Sequence, residues 1–311
     1  MKILLCASIA YDSIMVFDGR FREHILPDQV HILNVSFLVP TLRQEFGGVA
    51  GNIAYNLALL GARGIPLGTI GEDAQPYIER LDRLGIDRSC VLVVPGTRTA
   101  QAFITTDLDD NQIIAFHPGA MGQSHLNRVP ADPEVGLALV GPDGREGMIE
   151  HARALAERDV PFVFDPGQAM PLFNGEELLW FVERARYLAV NDYEEKLLVS
   201  KTGRKPEELA RSLEALIVTR GAQGSEIHAR GKVHLIPAAP VSRIVDPTGC
   251  GDAYRAGLLQ GIALGMPWET TGRLASVMGA IKIEHSGAQN HSAGREEIAR
   301  RYREAYGSDP W

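Results

Sequence analysis

Cysteine is scarce in this sequence, with Cys6, Cys90 and Cys250 far apart and no C-x-x-C pair among them. Their spacing indicates neither a zinc knuckle nor a disulfide framework, and it fits a reducing compartment. Apolar runs as long as a membrane span are also lacking, and the first apolar stretch soon reaches Ser8 and Asp12. We therefore expect a cytoplasmic protein with no membrane partner.

Basic residues are too few to balance the acidic ones, because 31 Lys and Arg stand against 39 Asp and Glu and leave a formal net charge of −8. That charge disfavours a protein that coats nucleic acid, so we expect no nucleic-acid partner. The 45% of hydrophobic residues is enough for a large folded core. With no internal repeat or low-complexity linker, residues 1–311 are expected to form a single domain.

The familiar motifs of several enzyme classes are missing as well. There is no G-x-x-x-x-G-K-S/T, no H-E-x-x-H and no G-x-S-x-G, and the glycine spacing does not match G-x-G-x-x-G. Walker-type NTPases, zinc proteases, α/β-hydrolases and ordinary Rossmann dehydrogenases are therefore disfavoured.

What the chain does have is an alternation of short apolar runs with helical patterns, which is typical of βαβ crossovers. The predicted strands are Ile3–Ile9, Leu137–Val140, Phe162–Phe164, Tyr187–Val190 and Leu216–Thr219. The predicted helices are Asn52–Leu60, Gly147–Glu157, Glu176–Arg186 and Pro206–Leu213. Together they predict an α/β fold with a doubly wound, mostly parallel sheet and helices on both faces.

Two stretches, about 13–45 and about 97–120, depart from this alternation and have the pattern of extended chain. The residues that carry the pattern are Ile32, Val35, Phe37 and Val39 in the first stretch, and Thr99–Asp107, Gln112–His117 and the turn-forming Asp109-Asp110-Asn111 in the second. We predict that they form a small β-lid inserted into the α/β core. The alternative is that both are edge strands of the main sheet.

Polar residues follow five of the predicted strands at the point where each strand ends. They are Asp12, Asp143, Asp165, Asn191 and the pair Arg220-Gly221. Since ligands bind beyond the carboxyl ends of the strands in open parallel sheets, these residues are expected to line one site. For Asp143, capping of the next helix is favoured over catalysis.

The strongest local pattern runs from Asp246 to Asp252, Asp-Pro-Thr-Gly-Cys-Gly-Asp, and precedes an apolar helix. Gly249 and Gly251 allow backbone N–H groups to converge at a helix N-terminus, which favours a bound anion such as phosphate. Asp252 would then accept a proton from a substrate hydroxyl as it attacks a phosphoryl group. The alternative is a carboxylate placed there by the helix dipole alone.

Two weaker motifs are consistent with a bound nucleotide. Asn191 and Glu194 are three residues apart at a helix start and could hold a hydrated magnesium ion, although the same spacing is that of a capping box. Thr219, Gly221 and Gly224 follow a strand and could let a nucleotide approach the backbone, or could form a glycine-rich turn.

A second glycine cluster, Phe46-Gly-Gly-Val-Ala-Gly-Asn52, opens a predicted helix. Gly47 and Gly48 could seat a small polar substrate against exposed backbone, and Asn52 would supply both a donor and an acceptor. Close packing of helix against sheet is the alternative for these glycines.

In combination the motifs resemble those of the ribokinase (PfkB) family of carbohydrate and nucleoside kinases. The matching segments are Gly47-Gly48 through Gly61, Asn191–Glu194 as N-x-x-E, and Asp246–Asp252 as D-x-T-G-x-G-D. They occur in the family's order and the resemblance covers nearly all of the chain. Pro247 and Cys250 stand where ribokinases usually have Thr and Ala.

The resemblance implies a role for each motif. The catalytic base would be Asp252, and the anion hole would be formed by Gly249, Cys250 and Gly251. The substrate would be bound by Asp12, Gly47, Gly48, Asn52 and His117. ATP would be bound by Asn191, Thr219, Gly221 and Gly224, and Mg²⁺ would be held through water by Asn191 and Glu194. ATP and Mg²⁺ are the implied cofactors, and a monovalent cation such as K⁺ is allowed. A homodimer through the lid is the implied assembly, and a monomer is the alternative.

Four segments look most similar to bacterial and archaeal nucleoside kinases of the adenosine kinase type, namely Ser8–Asp12, Phe17–Glu45, Phe116–Ala120 and the Pro-Thr-Gly-Cys-Gly of Pro247–Gly251. The resemblance therefore implies transfer to the 5′-hydroxyl of a purine nucleoside, with adenosine first and inosine or guanosine next. A sugar kinase of the ribokinase or fructokinase type is the alternative, and a non-catalytic nucleoside or sugar sensor is the second. Phe17, Phe37 and Phe116 could stack on a base or pack the lid's own core.

Overall fold

The structure is a computed structural model that describes residues 1–25, 34–109 and 111–311. Its strands are β1 (Lys2–Cys6), β2 (Ala10–Val16), β3 (Thr41–Gly47), β4 (Gly64–Ile70), β5 (Val91–Val93), β6 (Ala100–Thr106), β7 (Gln112–His117), β8 (Val135–Val140), β9 (Phe162–Phe164), β10 (Tyr187–Asn191), β11 (Ala215–Thr219), β12 (Ser225–Ala229) and β13 (Lys232–Ile236). Its α-helices are α1 (Phe21–His24), α2 (Val49–Leu59), α3 (Gln75–Arg83), α4 (Arg145–Glu157), α5 (Gly175–Arg184), α6 (Asp192–Thr202), α7 (Pro206–Leu209), α8 (Cys250–Ala263), α9 (Trp268–Ile283) and α10 (Arg295–Tyr306). In these ranges no helix is long and apolar enough to cross a bilayer.

The large sheet has nine strands in the order β13-β12-β11-β10-β9-β8-β1-β4-β5. Pairing is parallel from β11 to β5, while β12 and β13 form an antiparallel edge. Successive residues of β1 pack into different apolar clusters, Ile3 and Leu5 with α2 and α8, Leu4 and Cys6 with α4 and α5. Because side chains alternate across a strand, the two clusters lie on opposite faces of the sheet. The predicted doubly wound α/β fold is confirmed.

The predicted elements agree with the structure except at some boundaries. β8 to β11 lie where strands are predicted, whereas the first predicted strand is split, with β1 ending at Cys6 and β2 beginning at Ala10. The helix predicted from Asn52 already begins at Val49. The helix predicted over Pro206–Leu213 is wrong in its second half, because α7 ends at Leu209 and a short 3₁₀ turn follows.

A second, four-stranded sheet has the order β3-β2-β6-β7 and is separate from the large sheet. The hairpin predicted from residues 99–117 is confirmed as β6 and β7, and the alternative of edge strands on the main sheet is wrong. Asp107 accepts N–H groups from Asp109 and Asn111 in the connecting turn. The alternation predicted around Val35 does not form a strand at 34–39, and Ile32 and Asp110 lie outside the described residues.

Candidate active site

The loop before α8 forms a tight turn that presents the start of this helix to solvent. Gly249 has φ 77° and ψ 2°, the left-handed conformation that the third position of a type II turn requires. The Cys250 N–H closes the turn by donating to the Pro247 carbonyl at 3.1 Å. This corrects the expected anion hole, because the Cys250 N–H is already occupied by the turn.

The amides of Gly251 and Asp252 come next, and first-turn amides have no acceptor inside their own helix. Gly251 is exposed, and a Cβ placed on it would meet no described atom within 4 Å. Burial raises the pKa of the Cys250 thiol to about 11, so this side chain is a neutral thiol at pH 7. The helix start therefore offers open space, free N–H groups and no fixed negative sulfur to an approaching anion.

The Asp252 carboxylate lies in the first turn of α8 and accepts a hydrogen bond from Asn52 Nδ2 at 2.8 Å. Burial raises the pKa of Asp252 to about 7, and the negative charges of Asp165 and Asp12 act in the same direction. The Asn52 hydrogen bond and the Arg255 charge oppose this rise. A carboxylate with a pKa near neutrality is suited to accepting a proton at physiological pH.

A chain of hydrogen bonds determines which way the Asn52 amide faces. The Tyr77 hydroxyl donates to the Gly47 carbonyl at 2.7 Å, so its oxygen accepts from Gln289 Nε2 at 3.0 Å. The second hydrogen of that amide goes to Asn52 Oδ1, also at 3.0 Å. With its oxygen taken as an acceptor, Asn52 must point its NH₂ group at Asp252.

A buried ion pair lies one helical turn beyond the candidate base. Arg255 Nε donates to Asp165 Oδ2 at 2.9 Å, and Arg255 Nη2 donates to Asp165 Oδ1 at 3.2 Å. The strand-end residue Asp165 is thus held by α8 and is not free to bind substrate. Glu194 lies close enough to interact electrostatically with both partners.

Asp12 extends from β2 into the same region, and Gly47 makes room for it. A Cβ at Gly47 would lie 2.5 Å from Asp12 Oδ2, so this position excludes any side chain while the carboxylate occupies its place. Burial raises the pKa of Asp12 to about 6, with further increases from the negative charges of Glu45 and Asp246. A half-buried carboxylate of this kind is stabilised most when hydroxyl groups donate hydrogen bonds to it.

Gly48 is the N-cap of α2 and has φ 81°. A Cβ there would lie 2.5 Å from the Ala10 nitrogen and 2.7 Å from the Ser8 carbonyl oxygen, so the glycine permits close packing of helix against strand. The packing alternative for this glycine is therefore confirmed, and it brings the Asn52 side chain over the end of the sheet.

Asn191 and Glu194 form a complete capping box, as the structural alternative predicts. Asn191 Oδ1 accepts from the Glu194 N–H and Glu194 Oε2 accepts from the Asn191 N–H, both at 2.8 Å. The cap uses only one oxygen of Glu194, which leaves Oε1 for a magnesium-bound water. Burial raises the pKa of Glu194, and Asp165 raises it further. The residues therefore fit a hydrated magnesium ion as well as a cap.

The predicted nucleotide-site residues lie at the same sheet edge. Thr219 is the register partner of Asn191 in the parallel pair β10 and β11. Gly221 has φ 55° and open space around its Cα, whereas a Cβ at Gly224 would collide with the Ile236 carbonyl. Gly221 could therefore admit a ligand, while Gly224 is required for packing against β13.

Two sequence expectations are corrected by the geometry. The register places His117 on the face of the small sheet opposite to Asp12, whereas Phe116 shares the Asp12 face. Asp143 is buried and accepts the Gly144 N–H at 2.9 Å, but Gly144 itself is the N-cap of α4 and Asp143 does not cap that helix.

The aromatic residues predicted to stack on a base differ in their surroundings. The rings of Phe17, Phe21 and Phe37 pack against one another with centroids 4.8 to 5.9 Å apart, so they form a local apolar core. Phe116 is half exposed on the face that it shares with Asp12. Phe116 alone of the three predicted stacking residues is free for a ligand in the described parts of the chain.

A family model described as "pfkB family carbohydrate kinase" matches residues 11–293. The chain belongs to this family. It is therefore a phosphotransferase with an alcohol group as acceptor, and the family match includes Asp12, Asn191 and Asp252.

Relatives of this pfkB family member cover it almost completely. The structure of Burkholderia thailandensis nucleoside kinase in complex with inosine is 55% identical, with a TM-score of 0.90 and 99% of each chain covered. The same enzyme in complex with ADP-inosine is 57% identical, with a TM-score of 0.88 over 99% of this chain and 97% of that one. Nucleoside kinase from Methanothermobacter thermautotrophicus is 31% identical over 96% of this chain and 98% of its own.

Sequence reasoning missed three residues that the structure places at the site, namely Tyr77, Arg255 and Gln289. Arg255 had a usable signal, because it is the single basic residue of α8 and is flanked by apolar residues. Tyr77 and Gln289 lie on distant elements with no local motif. Only the fold shows that Gln289 reaches Asn52 and that Tyr77 bonds to Gln289.

Proposed function

We propose that this protein is an ATP-dependent kinase that phosphorylates the 5′-hydroxyl of a purine nucleoside, with Asp252 as general base. The observation that supports this most is the Asp252 carboxylate, hydrogen-bonded to Asn52 and placed beside free amides at the start of α8. The inosine-bound relative supports a purine nucleoside as the acceptor, with adenosine and guanosine as close candidates.

In the proposed complex the ribose lies between the small sheet and the start of α2. Asp12 accepts hydrogen bonds from two ribose hydroxyls, and the absence of a side chain at Gly47 lets the ring approach. The purine lies along the face of the small sheet where Phe116 and Ile114 are exposed, and Phe116 can stack on it.

The 5′-hydroxyl then points at Asp252. As its oxygen attacks the γ-phosphorus of ATP, its proton passes to the Asp252 carboxylate and the bond to the β-phosphate oxygen breaks. The N–H groups of Gly251 and Asp252 and the dipole of α8 stabilise the negative charge on the transferred phosphoryl oxygens. Magnesium, held through water by Glu194 and Asn191, would supply charge neutralisation for the triphosphate.

A coupled assay of ADP formation tests the proposal directly. Adenosine, inosine, guanosine, cytidine, ribose and fructose are offered at equal concentration, and kcat/KM is compared. The highest value is expected for a purine nucleoside. A preference for ribose or fructose would identify a sugar kinase, and substrate binding without any turnover would identify a sensor.

Glu194→Gln should raise the magnesium concentration that gives half-maximal rate, because it removes a negative charge from the metal's water shell and keeps a capping oxygen. Glu177→Gln is the matched control, since Asn174 and Glu177 form the same capping box at the start of α5. A magnesium titration of both variants checks this. Equal requirements in the two would assign Glu194 to helix capping only.

We also propose that the small sheet acts as a lid, formed by about 13–45 and 97–120. Its Asp12 face would close over the nucleoside and exclude water, which would otherwise compete for the phosphoryl group. Hydrogen exchange of β2, β3, β6 and β7 should slow when nucleoside is added, while exchange in β9 stays constant. Unchanged protection in all four strands would mean that no lid closes.

The opposite face of the small sheet is our candidate for contact with a second copy of the chain. The register places three exposed apolar side chains there, Leu42 at 68%, Ile113 at 43% and Phe103 at 40% exposure. Phe103→Lys should therefore convert a dimer into a monomer in sedimentation velocity, since a charge would have to be buried. A parent protein that sediments as a monomer would rule out this interface.

A further inference from the structure

Lys282, near the end of α9, is a charged residue with none of its surface exposed. Its ammonium donates to the backbone carbonyl of Asp246 at 2.7 Å and to that of His285 at 3.0 Å. Burial lowers the pKa of Lys282, and the nearby Asp246 carboxylate opposes this effect. An ammonium buried with main-chain oxygens as acceptors is costly, so its position calls for an explanation.

The position of Lys282 links it to the start of α8. Its Cε lies 3.7 Å from where a Cβ on Gly249 would be, directly behind the turn that leads into the anion hole. The Asp246 carbonyl lies in the loop immediately before that turn, and the His285 carbonyl belongs to the loop that leads to Gln289. One ammonium thus joins the loop of the anion hole to the loop that orients Asn52.

The same two loops are also tied by the Asp246 carboxylate. It accepts the Thr248 N–H and the Gly287 N–H, both at 2.8 Å. The Asp246 residue therefore uses its side chain and its carbonyl to hold the turn, and Lys282 is the partner of the carbonyl. Loss of the ammonium would leave two carbonyls facing each other without a cation.

Backbone carbonyl oxygens are also the ligands that coordinate K⁺ in proteins. A monovalent cation serving this turn would need the carbonyls that converge behind Gly249, and these already bind Lys282. The residues present therefore do not fit a separate K⁺ at this place.

We propose that the Lys282 ammonium is a built-in monovalent cation that fixes the two loops behind the anion hole and makes phosphoryl transfer independent of K⁺. This inference rests on the kinase activity proposed above. Lys282 is a positioning residue, because it acts on the transferred phosphoryl group through the backbone of the turn. Its fixed charge also adds to the positive potential at the start of α8.

The first test uses the unaltered protein with its preferred nucleoside. Rates and melting temperatures are measured in potassium, sodium or tetramethylammonium chloride at one ionic strength of about 0.1 M. Tetramethylammonium has no N–H group and is too large to bridge two carbonyls. We expect kcat to agree among the three salts within about threefold and the melting temperature not to depend on the cation. A larger rise of kcat that is specific to K⁺ overturns the proposal.

The second test removes the ammonium. Lys282→Ala should lower kcat by at least about tenfold in tetramethylammonium, with a smaller change in KM for nucleoside, because the turn loses its fixed geometry. K⁺ or ammonium should restore part of this loss and raise the melting temperature of the variant by binding to the vacated carbonyls. Lys201→Ala is the matched control, since Lys201 also donates to a backbone carbonyl, that of Phe173 at 2.7 Å, at the far end of α6.

The outcomes separate this inference from the proposed function. A folded Lys282→Ala protein that keeps the parent's kcat, or whose lost activity neither K⁺ nor ammonium restores, contradicts the role of Lys282. If that variant does not fold, the salt series on the parent decides. A parent that phosphorylates nothing in the substrate panel refutes the proposed function, whereas a K⁺-specific rise of its melting temperature refutes the built-in cation.

Discussion

Asp252→Asn is expected to lower kcat by about two to four orders of magnitude, the range for loss of a general base. The amide keeps the shape of the carboxylate and can still bond to Asn52, so KM for nucleoside should change little. Glu176→Gln, a neutralised acid in the exposed first turn of α5, is the control and should leave both constants unchanged. Normal turnover by the purified Asp252 variant would remove Asp252 from the mechanism.

The pH dependence gives an independent signature of the same residue. With a pKa of about 7, Asp252 is increasingly protonated below neutrality and cannot accept the hydroxyl proton. The parent's kcat/KM should therefore rise with pH through about 7, and the residual activity of Asp252→Asn should lack this rise. If kcat/KM of the parent does not change between about pH 6 and about pH 8, the base is a different group.

The contribution of Asp252 to the free energy of unfolding should fall as pH rises, whereas kcat/KM should increase. The folded protein holds the Asp252 proton up to a pKa of about 7, whereas the unfolded chain releases it near 3.8. The stabilising effect of that proton is fully present below the unfolded pKa and is lost as pH rises through the folded pKa. Asp252→Asn should consequently melt above the parent in alkaline buffer, and the difference should shrink toward acid pH.

Asp12→Ala has the second-largest expected effect, a rise in KM for nucleoside of about 100-fold with KM for ATP almost unchanged. Two hydrogen bonds to a charged acceptor contribute about 1.5 kcal/mol or more each, and the substrate makes them before as well as during the reaction. Steady-state kinetics with each substrate varied in turn measures both constants. Asp18→Ala, which removes an exposed carboxylate six residues further on, is the control.

A double-mutant cycle with altered substrates tests the contact itself. If Asp12 binds the ribose hydroxyls, 2′-deoxy and 3′-deoxy nucleosides should already bind weakly to the parent. The Asp12→Ala variant should then discriminate little between them and the full nucleoside. Equal rises in KM for ATP and nucleoside, with additive losses in the cycle, would assign Asp12 to the structure of β2.

Those parts of the fold that obey local rules were predictable from the sequence. The strands β8 to β11 are short apolar runs separated by helical patterns, and their parallel order follows from the crossovers between them. β4 was not predicted, although it is buried throughout, because Pro66 and Gly68 interrupt its pattern. Its place between β1 and β5 comes from packing against both neighbours, which a single sequence does not reveal.

The candidate site shows the same division between local and distant information. Asp252 and Asn52 belong to short motifs whose residue types and spacing already indicate an anion site and a polar partner. Gln289, in contrast, lies 237 positions from Asn52, and Lys282 has the sequence context of any helical lysine. Their contacts depend on how α9 returns beside α8, so no local pattern could predict them.

The hydrogen-bond chain from Gly47 to Asp252 has a consequence for how such sequences can diverge. Its direction begins at a main-chain carbonyl, which can only accept, and each following group inherits its orientation from the one before. A Phe in place of Tyr77 would free the Gln289 amide to turn over, and the Asn52 oxygen could then face the Asp252 carboxylate. We therefore expect Tyr77→Phe to need a compensating change at 289 or 52 before the Asn52 NH₂ group again faces Asp252.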